Sequence, residues 1–407
     1  MKNDLRKPIL VLQRILIALM LCYPICAFHL LPGIGDGERY YIRLLLPLAL
    51  LILGLKLWTH HLNAQPFKEF GKAILPWVLT IAVLMAIHHK GGYSSYLVLP
   101  LVAMFIYSAT DDIDFPETTL YAMSALFCVL IAALQAVDVF YGTFSHWAEG
   151  DRGALGGHPV IFAHTCSFFV GVVLIGLMRA YENKEKIGYT VLYAVAAAAG
   201  LYLLYLTKTR GAQLAIFALM LFMVAKSIRR DNKFFSIVVL FAIALCAYYA
   251  YQHFMVGVHE IEQFDYQKEK GTSWGARLQM WTVAWHGFLD KPFFGWGPEA
   301  MPRIFSEHPE LLRWFKGVPS WDFHSDYFNM LATGGILMLM AYVTMMASLA
   351  WLARRNIGAL WCVVNILLLG ASNTAFRGRS VAVSFFLVYL LFLRCREIAK
   401  AQKSIVC

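Results

Sequence analysis

The sequence has few charged residues for its length. Only 15% of its 407 residues are Asp, Glu, Lys or Arg, whereas 59% are hydrophobic. Soluble domains contain about 25% charged residues, so this composition excludes an ordinary soluble protein and indicates an integral membrane protein. The net charge of +10 is attributed mainly to membrane topology, and no nucleic-acid partner is expected, because basic patches with stacking aromatic residues are absent outside the loops.

The sequence also lacks the signatures of disulfide frameworks, metal sites and nucleophile elbows. None of its eight cysteines lies in the long polar interval 253–323, which excludes a cysteine framework there. The adjacent pairs His60–His61 and His88–His89 do not have the i, i+4 spacing of a helical zinc site. No Ser-His-Asp set is visible either. We therefore expect neither a metal nor a cofactor.

Charged residues are scarce in the middle of the apolar segments. Asp138 and Gln135, near one end of the fifth segment, are the main polar exceptions. A proton- or ion-coupled transporter is expected to carry ionisable residues near the membrane midplane. This scarcity disfavours a transporter.

The apolar residues form segments of about the length that spans a membrane. A spanning helix needs about 20 mostly apolar residues. Twelve candidate spans are present: 9–29, 40–58, 73–88, 93–110, 118–140, 159–180, 188–206, 211–227, 234–252, 324–353, 357–373 and 380–395. We predict an all-α polytopic membrane protein with nine helices in 1–252, a large loop with short helices in 253–323, and three helices with a tail in 324–407.

The distribution of Lys and Arg predicts the orientation of these spans. With the N-terminus in the cytoplasm, twenty of these residues lie on the cytoplasmic side and eight in the opposite short loops. This asymmetry predicts that both ends are cytoplasmic and that the loop 253–323 lies outside the cytoplasm. Asp111, Asp112 and Asp114 then lie on the cytoplasmic side, where we interpret them as a solvated loop.

A few cations lie on the outer side against this bias, which suggests a bound anion. They include Lys208, Arg210, Arg377 and Arg379. Arg210 is followed by Gly211, which allows close approach of a ligand, and a guanidinium group grips phosphate oxygens in a planar fork. An interfacial anchor, whose side chain reaches the headgroup region, is the alternative interpretation.

Arg277 lies on a second candidate element, a helix predicted over 276–290. Trp281, Trp285 and Phe288 follow it at helical spacing and share roughly one face with it. Such an aromatic stripe is typical of a membrane-interface belt. Arg277 beside it is therefore placed to reach a lipid headgroup.

His324 is the sharpest catalytic candidate because it stands where a new apolar helix begins. The partial positive charge of a helix N-terminus favours a neutral ring that can act as a base. Asp322 and Asp326 are close enough in sequence to oppose this effect or to orient the ring. A capping or interfacial histidine is the alternative interpretation.

These residues, taken together, resemble the O-antigen ligase family. The resemblance in topology covers the whole chain, whereas the matching motifs are confined to a few short stretches. They are Arg210 after a short turn, R-x-x-x-W followed by P-x-x-G-x-G-P between Arg277 and Pro298, and H-S-x-x-x-x-x-L-x-x-x-G from His324 to Gly335. Family loops often read His-Asn where this chain has His-Ser.

The resemblance implies a GT-C-like, metal-independent and inverting glycosyltransferase of lipopolysaccharide biosynthesis. It would move O-antigen from undecaprenyl diphosphate to a sugar hydroxyl of lipid A–core, within the lipids of the bacterial inner membrane and at its periplasmic face. Arg210 and Arg277 would bind the donor diphosphate, and His324 would be the base. Secondary candidates for this site are Lys208, Trp281, Asp326, Arg377 and Arg379.

Three alternatives stay open at the level of sequence. An O-antigen polymerase would use the same donor with a second lipid-linked glycan as acceptor. The very short turn at 208–210 leaves one large loop, and this favours the ligase. A transporter of lipid-linked sugars and a structural partner of a glycan assembly complex are the other two, and no positive signal supports the last.

Overall fold

The computed structural model describes residues 5–27, 37–141, 158–228, 273–314, 322–376 and 379–396, with isolated helical positions between 237 and 262. These residues are almost entirely helical. The helices are α1 (Arg6–Ala27), α2 (Gly37–Trp58), α3 (Gln65–His88), α4 (Ser94–Ala109), α5 (Glu117–Tyr141), α6 (Pro159–Glu182), α7 (Ile187–Leu206), α8 (Arg210–Ile228), α9 (Ser273–Asp290), α10 (Ala300–Glu307), α11 (Asp326–Leu352), α12 (Ile357–Ser372) and α13 (Arg379–Arg394). Short 3₁₀ turns cover Gly91–Tyr93 and Pro309–Trp314.

The prediction of a helical membrane protein is confirmed. Within the described residues, six helices are long and apolar enough to cross a membrane: α2, α3, α5, α6, α7 and α11. Shorter apolar helices are Ser94–Ala109, Ile357–Ser372 and Ser380–Arg394. Eleven of the twelve predicted segments coincide with a helix, and the ninth, 234–252, lies mostly outside the described residues. The number of spans stays a prediction.

The helix α6 forms the centre of the bundle. Of its span, 83% is buried inside the protein, against 33–44% for the other five long helices. It packs on α5, α7, α8, α12 and α13. Small residues permit this close packing, since a Cβ added at Gly171 would lie 2.0 Å from the Trp361 ring and one at Gly176 2.8 Å from Tyr121.

The acidic loop between α4 and α5 is not simply solvated, so that interpretation is wrong for its first residue. Asp111 pairs with Lys56 at the end of α2, and both side chains are almost fully buried. Asp112 contacts the same ammonium group at 2.6 Å and stays about half exposed. Buried charges require such pairing. Beyond this ion pair, Phe115–Pro116 and Cys395–Arg396 form a two-residue parallel β-bridge that joins the loop to the end of α13.

The helix α11 is interrupted at Gly335, and a turn of the polar interval forms hydrogen bonds with the backbone groups at this interruption. Gly335 has φ 64° and ψ −163°, which are not helical angles. The turn 292–297 supplies the missing partners: Ile336 N–H donates to the Pro292 carbonyl at 2.8 Å, and Trp296 N–H donates to the Ala332 carbonyl at 2.8 Å. Because unpaired backbone groups are costly in a membrane protein, the turn and the broken helix stabilise one another.

Glycines on both sides make this backbone contact close enough to form. A Cβ added at Gly335 would lie 2.4 Å from the Phe293 carbonyl, and one at Gly295 would lie 2.6 Å from the Gly334 nitrogen. The P-x-x-G-x-G-P sequence at 292–298 and the G-G sequence at 334–335 therefore form one interlocked backbone contact.

The polar interval also has its own apolar cluster and its own ion pairs. Val283, Trp296, Ile304 and Phe323 are among the buried residues of this cluster. The hydrogen bond from Lys90 at 2.9 Å lowers the pKa of Glu299, and the hydrogen bond to Asp290 at 2.5 Å raises the pKa of His308. These contacts fasten α9 and α10 to one another and to the end of α3.

The interlocked contact yields a test of stability. Gly335→Ala should lower the thermal midpoint of the purified protein, since this backbone conformation costs about 1–3 kcal/mol for other residues and the new Cβ would displace the Phe293 backbone. Gly54→Ala on α2 is the matched control, because its Cβ would meet nothing within 4 Å. Equal thermal midpoints for the two variants would contradict the interlock.

Candidate active site

The first candidate residue, Arg277, lies on the first two turns of α9. This helix begins three residues earlier than predicted and ends at Asp290, just before Pro292. The Arg277 Nε atom donates to the Ser372 carbonyl at 3.2 Å, and the guanidinium carbon lies 5.8 Å from the centre of the Trp274 ring. Since a guanidinium group has five N–H donors, it can hold this carbonyl and an anion together.

Arg210 is the first residue of α8, after a turn of three residues that includes Lys208. Lys208 is exposed and has a left-handed backbone with φ 50°. A Cβ added at Gly211 would lie 2.8 Å from the Ser372 Oγ atom, so this turn approaches the end of α12 closely. The N–H groups of a helix N-terminus attract anions, and here the guanidinium group of Arg210 adds a full positive charge.

His324 stands two residues before α11, on a left-handed backbone with φ 49°. Its N–H donates to the Asp322 Oδ1 atom at 2.9 Å. Its ring Nδ1 atom lies 3.4 Å from the Asn373 Oδ1 atom and 3.7 Å from the Asp322 Oδ1 atom. Two oxygen acceptors on this side favour the tautomer with a proton on Nδ1, in which the ring lone pair lies on Nε2.

Three consecutive residues at the end of α12 bring these candidates together. Ser372 accepts from Arg277 and approaches Gly211, Asn373 faces the His324 ring, and Thr374 donates to the Asp322 Oδ2 atom at 2.5 Å. We call residues 372–374 the SNT segment. This segment was not among the predicted site residues, although polar residues directly after an apolar span are a signal that the sequence contains.

The neighbouring secondary candidates have structural contacts. Trp281 stacks on Phe328 with ring centres 5.2 Å apart, which packs α9 on α11. Asp326 is buried, and its Oδ2 atom accepts from the Phe376 N–H at 2.8 Å, which anchors the loop that follows the SNT segment. Both residues therefore have a role in holding the site together.

The remaining secondary candidates are Arg377 and Arg379. Arg377 lies outside the described residues. Arg379 is the first residue of α13, and its side chain lies outside the described part of the chain. Their relation to the site stays a prediction.

A buried polar layer lies beneath the site and was not foreseen. His164 of α6 is 1% exposed, and a Cβ added at Gly211 would lie 3.6 Å from its Nε2 atom. One turn further along α6, the Ser167 hydroxyl donates to the His164 carbonyl at 2.7 Å and accepts from the Asn365 side-chain amide at 3.0 Å. This layer extends the polar surroundings of Ser372 into the bundle. Among the described residues, no group of three or more His, Cys, Asp and Glu side chains is arranged to hold a metal ion.

Comparisons with known proteins agree with the motifs. A family model described as O-antigen ligase matches residues 194–343, a region that includes Arg210, Arg277 and His324. The O-antigen ligase of Escherichia coli (strain K12) is 22% identical over 378 residues, which cover 88% of this chain and 83% of that protein. The resemblance to the O-antigen ligase family that the motifs predicted is therefore confirmed, and it extends over most of the chain.

Proposed function

We propose that this protein transfers a finished O-antigen glycan from undecaprenyl diphosphate to a sugar hydroxyl of lipid A–core. The observation that carries the proposal is the convergence of Arg277, His324 and the first turn of α8 on the SNT segment. One arginine, one histidine and a helix N-terminus that carries a second arginine suit a reaction that expels a diphosphate and removes one proton.

The two arginines act on the leaving group. As the bond between the anomeric carbon and the diphosphate oxygen breaks, its electron pair remains on the diphosphate. Arg210 and Arg277 stabilise this growing negative charge, which is the kind of contribution that commonly outweighs proton transfer in catalysis. The contact with Ser372 holds the Arg277 guanidinium group in place before the donor binds.

His324 acts on the acceptor. The acceptor hydroxyl oxygen attacks the anomeric carbon opposite the diphosphate, and its proton passes to the Nε2 atom of His324. Attack from that side inverts the anomeric centre. Asn373 and Asp322 hold the Nδ1 side of the ring, so we assign them as positioning residues.

The proposal includes the membrane arrangement that the sequence predicts. Twelve spans with a GT-C-like arrangement, in the bacterial inner membrane, place the site at the periplasmic face, where both lipid-linked substrates arrive. The turn between α7 and α8 has only three residues, which supports the single large loop of a ligase over the divided apparatus of a polymerase.

The decisive experiment reconstitutes the reaction. Purified protein, lipid-linked glycan and lipid A–core should yield glycan-capped core on a gel, with no extension of the donor. Extension of the donor without capping would assign a polymerase instead. We expect transfer to survive EDTA, and activity that EDTA abolishes and Mg²⁺ restores would overturn the metal-free mechanism.

The diphosphate role predicts the effect of replacing each arginine. Arg277→Ala and Arg210→Ala should each lower transfer by about a hundredfold or more, measured as capped core in the reconstituted assay. Lysine should restore only part of the rate, since it provides a point charge without the fork.

The matched control is Arg43→Ala, which removes an exposed cation of α2 on the same predicted side of the membrane. It should retain the wild-type rate, and all variants should reach the membrane at equal levels on immunoblots. Near-normal capping by either alanine variant at the site would contradict the diphosphate role.

The base role predicts a shift in pH dependence. His324→Ala should lower transfer about a hundredfold or more. Asn373→Asp should keep the hydrogen-bond acceptor but add negative charge, which favours the protonated ring, so the acid limb of the rate profile should move to higher pH.

Asn356→Asp is the control for this variant. Asn356 caps α12 at its opposite end by accepting from the Gly358 and Ala359 N–H groups. Aspartate keeps this cap and loses only the bond that the Asn356 amide donates to the Phe392 carbonyl at 2.7 Å. This control should leave the pH profile unchanged. An unchanged profile in Asn373→Asp as well would overturn the positioning role of Asn373.

A further inference from the structure

A cavity lies away from the candidate active site. It has a volume of about 840 Å³ and opens between the beginning of α3 and the end of α11. This volume lies within the range of about 300–1,000 Å³ that is typical of small-molecule sites. The groove and His324 lie at opposite ends of α11, whose 27 residues would span about 40 Å as a straight helix. The two sites therefore lie at opposite ends of a candidate membrane span.

Three cations converge on this groove, which we call the α3–α11 groove. Lys72 comes from α3, and Arg354 and Arg355 follow the end of α11. All three side chains are exposed. Glu69 is the one acidic residue that lines the groove, and it accepts a hydrogen bond of 2.8 Å from Gln65. The described lining therefore has an excess of two positive charges.

One of these cations is held in place by an aromatic residue. The Arg354 guanidinium carbon lies 4.6 Å from the centre of the Trp351 ring, and its Nη1 atom donates to the Trp351 carbonyl at 2.9 Å. The Trp351 side chain is 70% exposed. Exposed tryptophan at a helix end is typical of the interface between lipid headgroups and acyl chains.

The other part of the groove is apolar. Val343 and Ala347, one turn apart on α11, line it together with Ala73 of α3, and the Val343 side chain is 51% exposed. A ligand that fits this lining has an anionic head beside the cations and a hydrocarbon tail along α11. Lys and Arg residues that serve only to orient the spans in the membrane have no reason to line one groove together.

We propose that the α3–α11 groove binds an anionic glycerophospholipid, with its phosphate between Lys72, Arg354 and Arg355 and one acyl chain along Val343 and Ala347. Basic pockets between membrane helices are known to hold such headgroups. The site is independent of the proposed glycan transfer, because it lies at the other end of α11.

The test measures lipid binding to the full chain after delipidation in detergent. Cardiolipin and phosphatidylglycerol should raise the thermal midpoint and remain bound in native mass spectrometry, whereas phosphatidylethanolamine should do neither. The double variant Arg354→Gln/Arg355→Gln should weaken binding of the anionic lipids by about tenfold or more.

The matched control is Lys184→Gln/Lys186→Gln, which removes two exposed cations from the turn between α6 and α7. It should bind the anionic lipids as the wild type does. Equal loss in both variants, or equal binding of phosphatidylethanolamine, would overturn the site. Tighter binding of undecaprenyl phosphate that the arginine variant abolishes would overturn the glycerophospholipid assignment.

The fluorescence of Trp351 reports on lipid binding at the groove itself. Brominated phosphatidylglycerol should quench part of the tryptophan fluorescence of the wild type, and Trp351→Phe should remove that part. Identical quenching in the two proteins would show that the lipid binds elsewhere. No glycan donor is present in these measurements, so their failure leaves the proposed transfer untouched.

Discussion

The hydrogen bonds between the turn 292–297 and the broken helix α11 are the constraint on which the placement of α9 and of the start of α11 depends. They satisfy backbone groups that the break at Gly335 removes from the helical ladder. The same contact fixes α9, which ends just before the turn, against the helix that begins beside His324. These backbone contacts thereby fix the helix that carries Arg277 relative to the helix that follows His324.

The SNT segment then determines how the site is assembled. Its three residues meet three different parts of the chain, and each contact uses a different group: a carbonyl, a carboxamide and a hydroxyl. Fixed dipoles and charges of this kind need not reorganise when negative charge develops, which is the basis of electrostatic catalysis. The buried polar layer around His164 continues this environment into the helix bundle.

The helices could be predicted because each is encoded within one segment, and the three candidate site residues were named from short motifs in the same way. Hydropathy reports the composition of a single stretch, and the motifs lie in short windows around Arg210, Arg277 and His324. The contacts of the SNT segment could not be predicted from a single stretch of sequence, since they join residues that are 95 and 49 positions apart. The break at Gly335 and the buried pair of Lys56 with Asp111 were missed for the same reason, because each depends on a partner from another segment.

The left-handed backbone of His324 has a consequence for how this position can evolve. A residue other than glycine or asparagine pays a free-energy cost for φ 49°, commonly about 1 kcal/mol or more. Glycine would relax this strain, and asparagine would reduce it, yet neither carries an imidazole. With His324 as the proposed base, folding stability and chemistry favour different residues at this position. A drift toward stability alone would give a well-folded membrane protein that lacks the base.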